Sequence, residues 1–253
     1  MPTLFDSVNT LSGVGPVRAS QLAALGIYTL YDLISYFPRD YEDRTKLVRI
    51  SQLEPDRPAC FEAMVVSQPR TSYIRKGMEL TKLTVSDNTA NLSVTFFNQS
   101  YMARNLIYGQ SYLFYGRLSS ESIRPQMLNP VFEPVEKSGV KTNRIMPIYS
   151  LTSGISNAFL VQAISQALRH CGQMLPEILP PEVRQEHGLI DGPLAYEIIH
   201  NPPDFETLEE AKRRLVFEEF FIFSTGLALA RARRTASFHI YLLDDTRAAG
   251  RKY

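Results

Sequence analysis

"NLSVTFFNQSYMARNLIYGQSYLFYGRL" (91–118) changes its hydrophobic period twice. Residues 91–98 alternate, 101–107 read as a short helical stretch, and 110–118 alternate again. On a strand, alternation places Leu92, Val94 and Phe96 on one face and Ser93, Thr95 and Phe97 on the other. One phenylalanine therefore joins the apolar row and its neighbour joins the polar row. Tyr101 follows in the helical stretch. The same period of two extends outward, predicting strands at 60–69, 78–87 and 125–135 as well. Turn signals separate them: "RKG" (75–77), "DNT" (87–89) and "SSES" (119–122). Five short strands with a helix after the third is the layout of an OB-fold barrel, with a generic five-stranded sheet as the alternative.

Helical patterns flank this region. "LSGVGPVRASQLAALGIYTLYDLISYFPRDYEDR" (11–44) predicts two amphipathic helices, about 16–25 and 29–36. Pro16 suits a first helical position and Gly26 a helix end. Thr29 is placed to cap the second helix, with Asp32 in its first turn. This is the pattern of a helix-hairpin-helix. Downstream, "SNAFLVQAISQALRHC" (156–171) predicts a helix capped by Ser156, and 206–234 predicts one long helix. The fold class expected is α+β. Its parts are a helix-hairpin-helix-like segment (1–50), a five-stranded OB barrel (51–137), a C-terminal helical linker (138–235) and a tail of no assigned structure (236–253).

Composition narrows the function. The 253 residues are 44% hydrophobic and 21% charged, ordinary for a globular protein. The net charge of +1 advertises no polyanion partner, so a nucleic-acid surface must be a local patch. Two cysteines in unrelated contexts argue against a disulfide framework or a zinc site and fit a reducing compartment. The chain opens without a basic-then-apolar leader, so a cytoplasmic location is expected. The most apolar stretch, "LVFEEFFIFSTGLALA" (215–230), holds Glu218 and Glu219, which predicts a buried helix rather than a membrane span.

Candidate contacts with nucleic acid fall in three places. Gly13 and Gly15 permit close backbone approach to a phosphate, a helix N-terminus follows, and Arg18 lies one turn in. A tight turn in a helical pair explains the same glycines. The loop "PRTSYIRKG" (69–77) carries Arg70, Arg75 and Lys76 with no acid, and Tyr73 among them. Cations interleaved with an aromatic suit a strand of nucleic acid, and a solvated hairpin tip has the same composition. Phe97 and Tyr101 are the third place: two rings at a strand-to-helix turn can hold an unpaired base, unless a neighbouring segment covers Phe97. On the long helix, Lys212, Arg213 and Arg214 precede Glu218 and Glu219, which are the expected salt-bridge partners of Arg214.

No catalytic centre is legible. A P-loop needs GxxxxGK[ST], and Gly-Lys occurs nowhere in the chain. "EKSGVKT" (136–142) has that composition in another order. "HIYLLDD" (239–245) is a weak likeness of a strand ending in metal-binding carboxylates. His170, His187, His200 and His239 lack metal-ligand spacing, and no GxSxG or Cys/His pair suggests a nucleophile.

In combination these segments resemble the RecG family of bacterial DNA helicases. The opening "GVGPVRASQLAALGIYTLYDLISYFPRDYEDR", then "VTFFNQSYM", "GRLSSESIRPQMLNPVFE", "IMPIYSLTSGIS" and "AYEIIHNPPDFETLEEAKRRLVFEEFF" follow the family's order over about residues 8–235. Two departures stand out: "DNTAN" (87–91) replaces a "DGTG"-like turn, and 234–253 does not resemble the family's entry to its motor. The resemblance implies ATP-dependent remodelling of replication forks and Holliday junctions, with this chain carrying the OB-fold wedge and not the motor. It implies no cofactor in this chain, ATP and Mg belonging to the full-length family, and no activity of the chain alone. Phe97 and Tyr101 are implied to stack on bases at the branch point. Arg70, Arg75, Lys76, Arg104, Gly13, Gly15 and Arg18 are expected at the DNA backbone. The partners implied are branched DNA and single-stranded-DNA-binding protein, with no membrane and a monomeric chain. An OB-fold protein-interaction module that binds the latter protein is the alternative function.

Overall fold

The computed structural model describes residues 2–75, 77–119 and 125–249, and only the backbone of 75, 137 and 235–249. The predicted cation Lys76 and most of the "SSES" turn lie outside the described residues. The chain divides into two compact units, Met1–Phe37 with Leu151–Tyr253, and Pro38–Ser150. The N-terminal hairpin and the downstream helices, read separately in the sequence, thus form one unit, and the barrel unit interrupts it.

In the helical unit, α1 (Pro16–Ala23) starts after Gly15 with proline in its first turn. α2 (Leu30–Ile34) carries a full capping box: Asp32 N–H donates to Thr29 Oγ1, and the Asp32 carboxylate accepts from Thr29 N–H. Leu22, Ile27, Leu30, Leu33 and Ile34 are buried beneath them.

The barrel unit opens with β1 (Asp40–Asp43). β2 (Pro58–Val65), β3 (Arg70–Arg75), β4 (Met78–Ser86) and β5 (Asn91–Phe97) follow. The short α3 (Ser100–Ala103) separates β5 from β6 (Ser111–Arg117). β7 (Gln126–Leu128), β8 (Val131–Pro134) and β9 (Ile145–Ile148) complete the unit. The main sheet runs β7-β5-β4-β2-β6-β8, and β3 pairs with β4. β5 and β7 are parallel, and a Leu118–Met127 bridge draws β6 toward β7. Gly116 permits this approach, because a Cβ there would meet Met127 Sδ at 2.6 Å. β1 and β9 pair separately and antiparallel. This is OB topology, with the helix between the third and fourth barrel strands as expected.

Two sequence expectations are corrected. The segment read as a basic loop at 69–77 is β3, turning at Gly77 (φ +79°) into β4. The predicted strand 125–135 is broken in two, because Asn129 takes φ +44° and Pro130 follows it. "EKSGVKT" wraps around Glu133, whose buried carboxylate accepts from the backbone N–H groups of Gly139, Lys141 and Thr142 and from Thr142 Oγ1.

Inside the barrel, Phe61 stacks on Phe114 with centroids 5.5 Å apart, and Phe96 meets Phe132 edge-on at 5.9 Å. Leu83, Val85, Leu92, Val94 and Met127 fill the remainder. In the "DNTAN" turn Asn88 is left-handed (φ +67°), while Asp87 accepts from Thr89, Ala90 and Ile50.

Back in the helical unit come α4 (Asn157–Cys171), α5 (Pro181–His187), α6 (Gly192–His200) and α7 (Phe205–Ala249). Ser156 Oγ caps α4 through Phe159 N–H, as predicted. α7 outruns its predicted end and takes in "HIYLLDD", so that segment is helix rather than strand. The apolar stretch 215–230 is not the buried helix expected: Val216, Phe220, Ile222, Phe223, Leu227 and Leu229 are exposed. No helix among the described residues is long and apolar enough to cross a membrane.

Candidate nucleic-acid interface

The candidate site is built at the end of β5. Leu92, Val94 and Phe96 face the core, as the alternation requires. Phe97 lies on the other face, directly opposite Leu80 of β4, and is half-buried. Its backbone N–H donates to Asn129 Oδ1 at 2.8 Å. The chain then turns at Asn98, which adopts φ +51°. Asparagine tolerates this left-handed conformation better than most residues.

A reciprocal clamp holds the turn to β4. Asn98 N–H donates to Glu79 O at 3.0 Å, and Glu79 N–H donates to Asn98 Oδ1 at 2.9 Å. The Glu79 carboxylate accepts from Ser100 N–H at 3.2 Å, at the start of α3. The hydrogen bonds from Ser100 hold the Glu79 carboxyl below the usual glutamate range. Ala103 is buried and anchors α3, while Tyr101 is 63% exposed. The clamp thus sets where both rings project, although Glu79 and Ser100 were not singled out in the sequence. The left-handed Asn98 was its only local signal.

The cations divide between the two units. Arg70 is exposed on β3, in register with Lys82 of β4. Arg104 is exposed at the C-cap of α3. Arg75 contributes a backbone position opposite Met78, and its side chain is outside the description. Tyr73, on the same hairpin, is 80% exposed.

In the other unit, Gly13 is left-handed (φ +82°) and Gly15 is extended at the N-cap of α1. Arg18 Nη1 donates to Gly13 O at 2.6 Å, and the guanidinium lies 4.6 Å from the centroid of the Phe159 ring. Arg18 therefore braces the glycine turn against α4. That is the packed-hairpin reading of the motif, and Phe159 was the partner that the sequence left invisible.

Two polar groups of the helical unit prove structural. Arg214, read as one of three adjacent cations on the long helix, is fully buried. It donates to Glu218 Oε2 and Glu177 Oε1, both at 2.6 Å, and to Ile190 O at 2.9 Å. Glu218 is thus its partner within α7 and Glu177 its partner beyond, while Glu219 is exposed. His200 is buried, with Nε2 2.6 Å from Ile34 O, and burial pushes its pKa down to about 4 against a weaker upward pull from that carbonyl. Among the described residues, no group of three His, Cys, Asp or Glu side chains forms a metal centre.

An OB barrel with a half-buried ring on its outer face and an exposed ring on the adjoining helix defines an OB-fold module. The chain belongs to the RecG wedge family: the family model described as RecG wedge domain matches residues 7–171. It is 32% identical over 233 residues to the ATP-dependent DNA helicase RecG of Thermotoga maritima, covering 91% of this chain and 30% of that protein. The Escherichia coli K12 RecG is 30% identical over 244 residues, covering 90% of this chain and 34% of that protein. A solved structure described as RecG bound to a three-way DNA junction superposes with a TM-score of 0.79 at 32% identity, covering 87% of this chain and 30% of that one. The chain spans about a third of the length of the curated relatives it matches.

Proposed function

We propose that this chain recognises branched DNA and acts as the strand-separating wedge of a RecG-like ATP-dependent helicase. The observation that carries the reading is the clamp at Asn98 and Glu79, which presents Phe97 on the barrel face and Tyr101 on α3 four residues apart. The match to a relative solved on a three-way DNA junction supports it. Phe97 and Tyr101 cap the last base pairs of two arms as parental duplex is drawn past. Arg70, Arg75, Lys76 and Arg104 neutralise phosphates, so affinity falls with salt and carries little sequence preference. The glycine turn at Gly13 and Gly15 offers a separate backbone contact, with Arg18 acting through its hold on Gly13.

A P-loop needs the dipeptide Gly-Lys, which the sequence does not contain. ATP-driven translocation belongs to the helicase as a whole, and this chain's contribution is geometric.

The test is affinity of this chain for a three-way fork and for a matched linear duplex, in wild type and in Phe97→Ala/Tyr101→Ala. The fork should be preferred, and the double substitution should remove most of that preference. Equal affinities, untouched by the substitutions, would defeat the reading. A second reading has one observation of its own: among the described residues β3 pairs with β4 alone, which leaves its other edge open beside exposed Tyr73 and Ile74. Such an edge accepts an extended peptide, as from single-stranded-DNA-binding protein. Binding of an acidic, apolar tail peptide that competes with the fork would favour it.

A further inference from the structure

The outer face of the barrel carries a like-charge pair that folding alone does not explain. The strand registers set Arg70 opposite Lys82, and Lys82 opposite Thr95. Directly paired residues share a face, and like charges placed so repel. Neither cation has an ion-pair or hydrogen-bond partner among the described residues. The next row toward the turn is Ser72, Leu80 and Phe97, and the next row away is Thr84, Ser93 and Gln126. None of these rows holds a carboxylate. Glu79 belongs to the opposite face, and its carboxylate is engaged by Ser100. Around the pair lies a shallow depression lined by Ser67, Gln68, Arg70, Lys82, Thr84 and Ser93. Ser67 Oγ accepts from Thr84 N–H at 2.7 Å, which fixes its rim. Lys82 is a diagonal neighbour of Phe97 across β4 and β5, a separation of about 7–8 Å.

We propose that Arg70 and Lys82 clamp one phosphate of an unpaired DNA strand that leaves the branch past Phe97 and runs along this face. The inference rests on the wedge reading and adds to it a direction, a residue not otherwise assigned (Lys82) and a preference for a single strand. Two cations on adjacent strands converge on one backbone, while the hydroxyl and amide groups of the depression meet its oxygens and sugars. The phosphate also relieves the repulsion between the two cations. Tyr101, beyond the turn and on α3, serves a different arm.

The test compares this chain with Arg70→Gln, Lys82→Gln and the double variant on two three-way junctions, one with an unpaired arm and one fully duplex. Binding is followed between about 50 and 200 mM salt. On the unpaired-arm junction, the double variant should lower the slope of log affinity against log salt by about 0.7, so the salt rise weakens it about 2.6-fold less than the wild type. On the duplex junction the slope should not move. Lys82→Gln should melt at or above the wild-type temperature, because a repulsive pair has been removed. An unmoved slope on the unpaired arm, an equal fall on both junctions, or a lowered melting temperature each overturns the clamp. A wild type that binds junctions no better than linear duplex defeats the wedge reading itself. A discriminating wild type with an unmoved double variant defeats the clamp alone.

Discussion

Phe97 and Tyr101 differ in what their removal costs. Tyr101 is 63% exposed, so Tyr101→Ala should leave stability within about 0.5 kcal/mol while weakening junction binding by about 1–3 kcal/mol. Phe97 is half-buried opposite Leu80, so Phe97→Ala should lower both. Thermal unfolding and fork titration of the two single variants separate these effects. Alternation alone assigned Phe96 and Phe97 to their faces, because the period of two leaves a strand no other choice once one face is core. His200 gives a prediction of another kind. Its pKa, about 4 when folded and near 6.5 otherwise, means that the unfolded chain takes up a proton first as pH falls. Its stability contribution is present above pH 6.5 and lost between pH 6.5 and about 4, on the order of 3 kcal/mol in all. His200→Gln should flatten acid unfolding curves across that window. A variant with the wild-type pH dependence would contradict the assignment.

Among elements, the β5–α3 junction depends on Asn98. Asn98→Ala loses the acceptor for Glu79 N–H and forces alanine into a left-handed conformation, costing about 1–3 kcal/mol. Fork affinity should fall with both rings intact. A variant that binds forks like the wild type would show that the clamp does not position them. The helices were legible where local chemistry decides them. Thr29 with Asp32, and Ser156 before Phe159, satisfy backbone N–H groups within a turn, so their sequence is sufficient. β3 was not legible, because "PRTSYIRKG" lacks an apolar alternation of its own. β3 exists through its pairing with β4, aided by the Thr71–Thr81 hydroxyl contact at 2.8 Å.

Across the molecule, Arg214 anchors the helical unit. It is the largest fully buried side chain and ties α7 to Glu177 and Ile190. Removing one member of a buried pair leaves its partner uncompensated, so Arg214→Ala should cost about 3–5 kcal/mol. Hydrogen exchange in α6 and α7 should quicken accordingly, and unchanged protection would contradict a structural role. Nothing in "KRRL" marks which cation is buried, because helical position alone does not say what faces it. Further along α7 the same ignorance ran the other way. Apolar composition suggested burial for 215–230, yet Phe220 and Phe223 are exposed, since burial needs a neighbour and composition does not supply one.

By itself, the sequence determined the strands on either side of α3, the helix after the third barrel strand, the caps and the face that Phe96 and Phe97 each take. All of these follow from interactions within a few residues or from a strict period. Only the tertiary structure decided that Arg18 braces Gly13 against Phe159, that Arg214 is core, and that Lys82 shares a face with Arg70 and Phe97. Those outcomes depend on which distant segments meet, and register and packing set that where local pattern cannot.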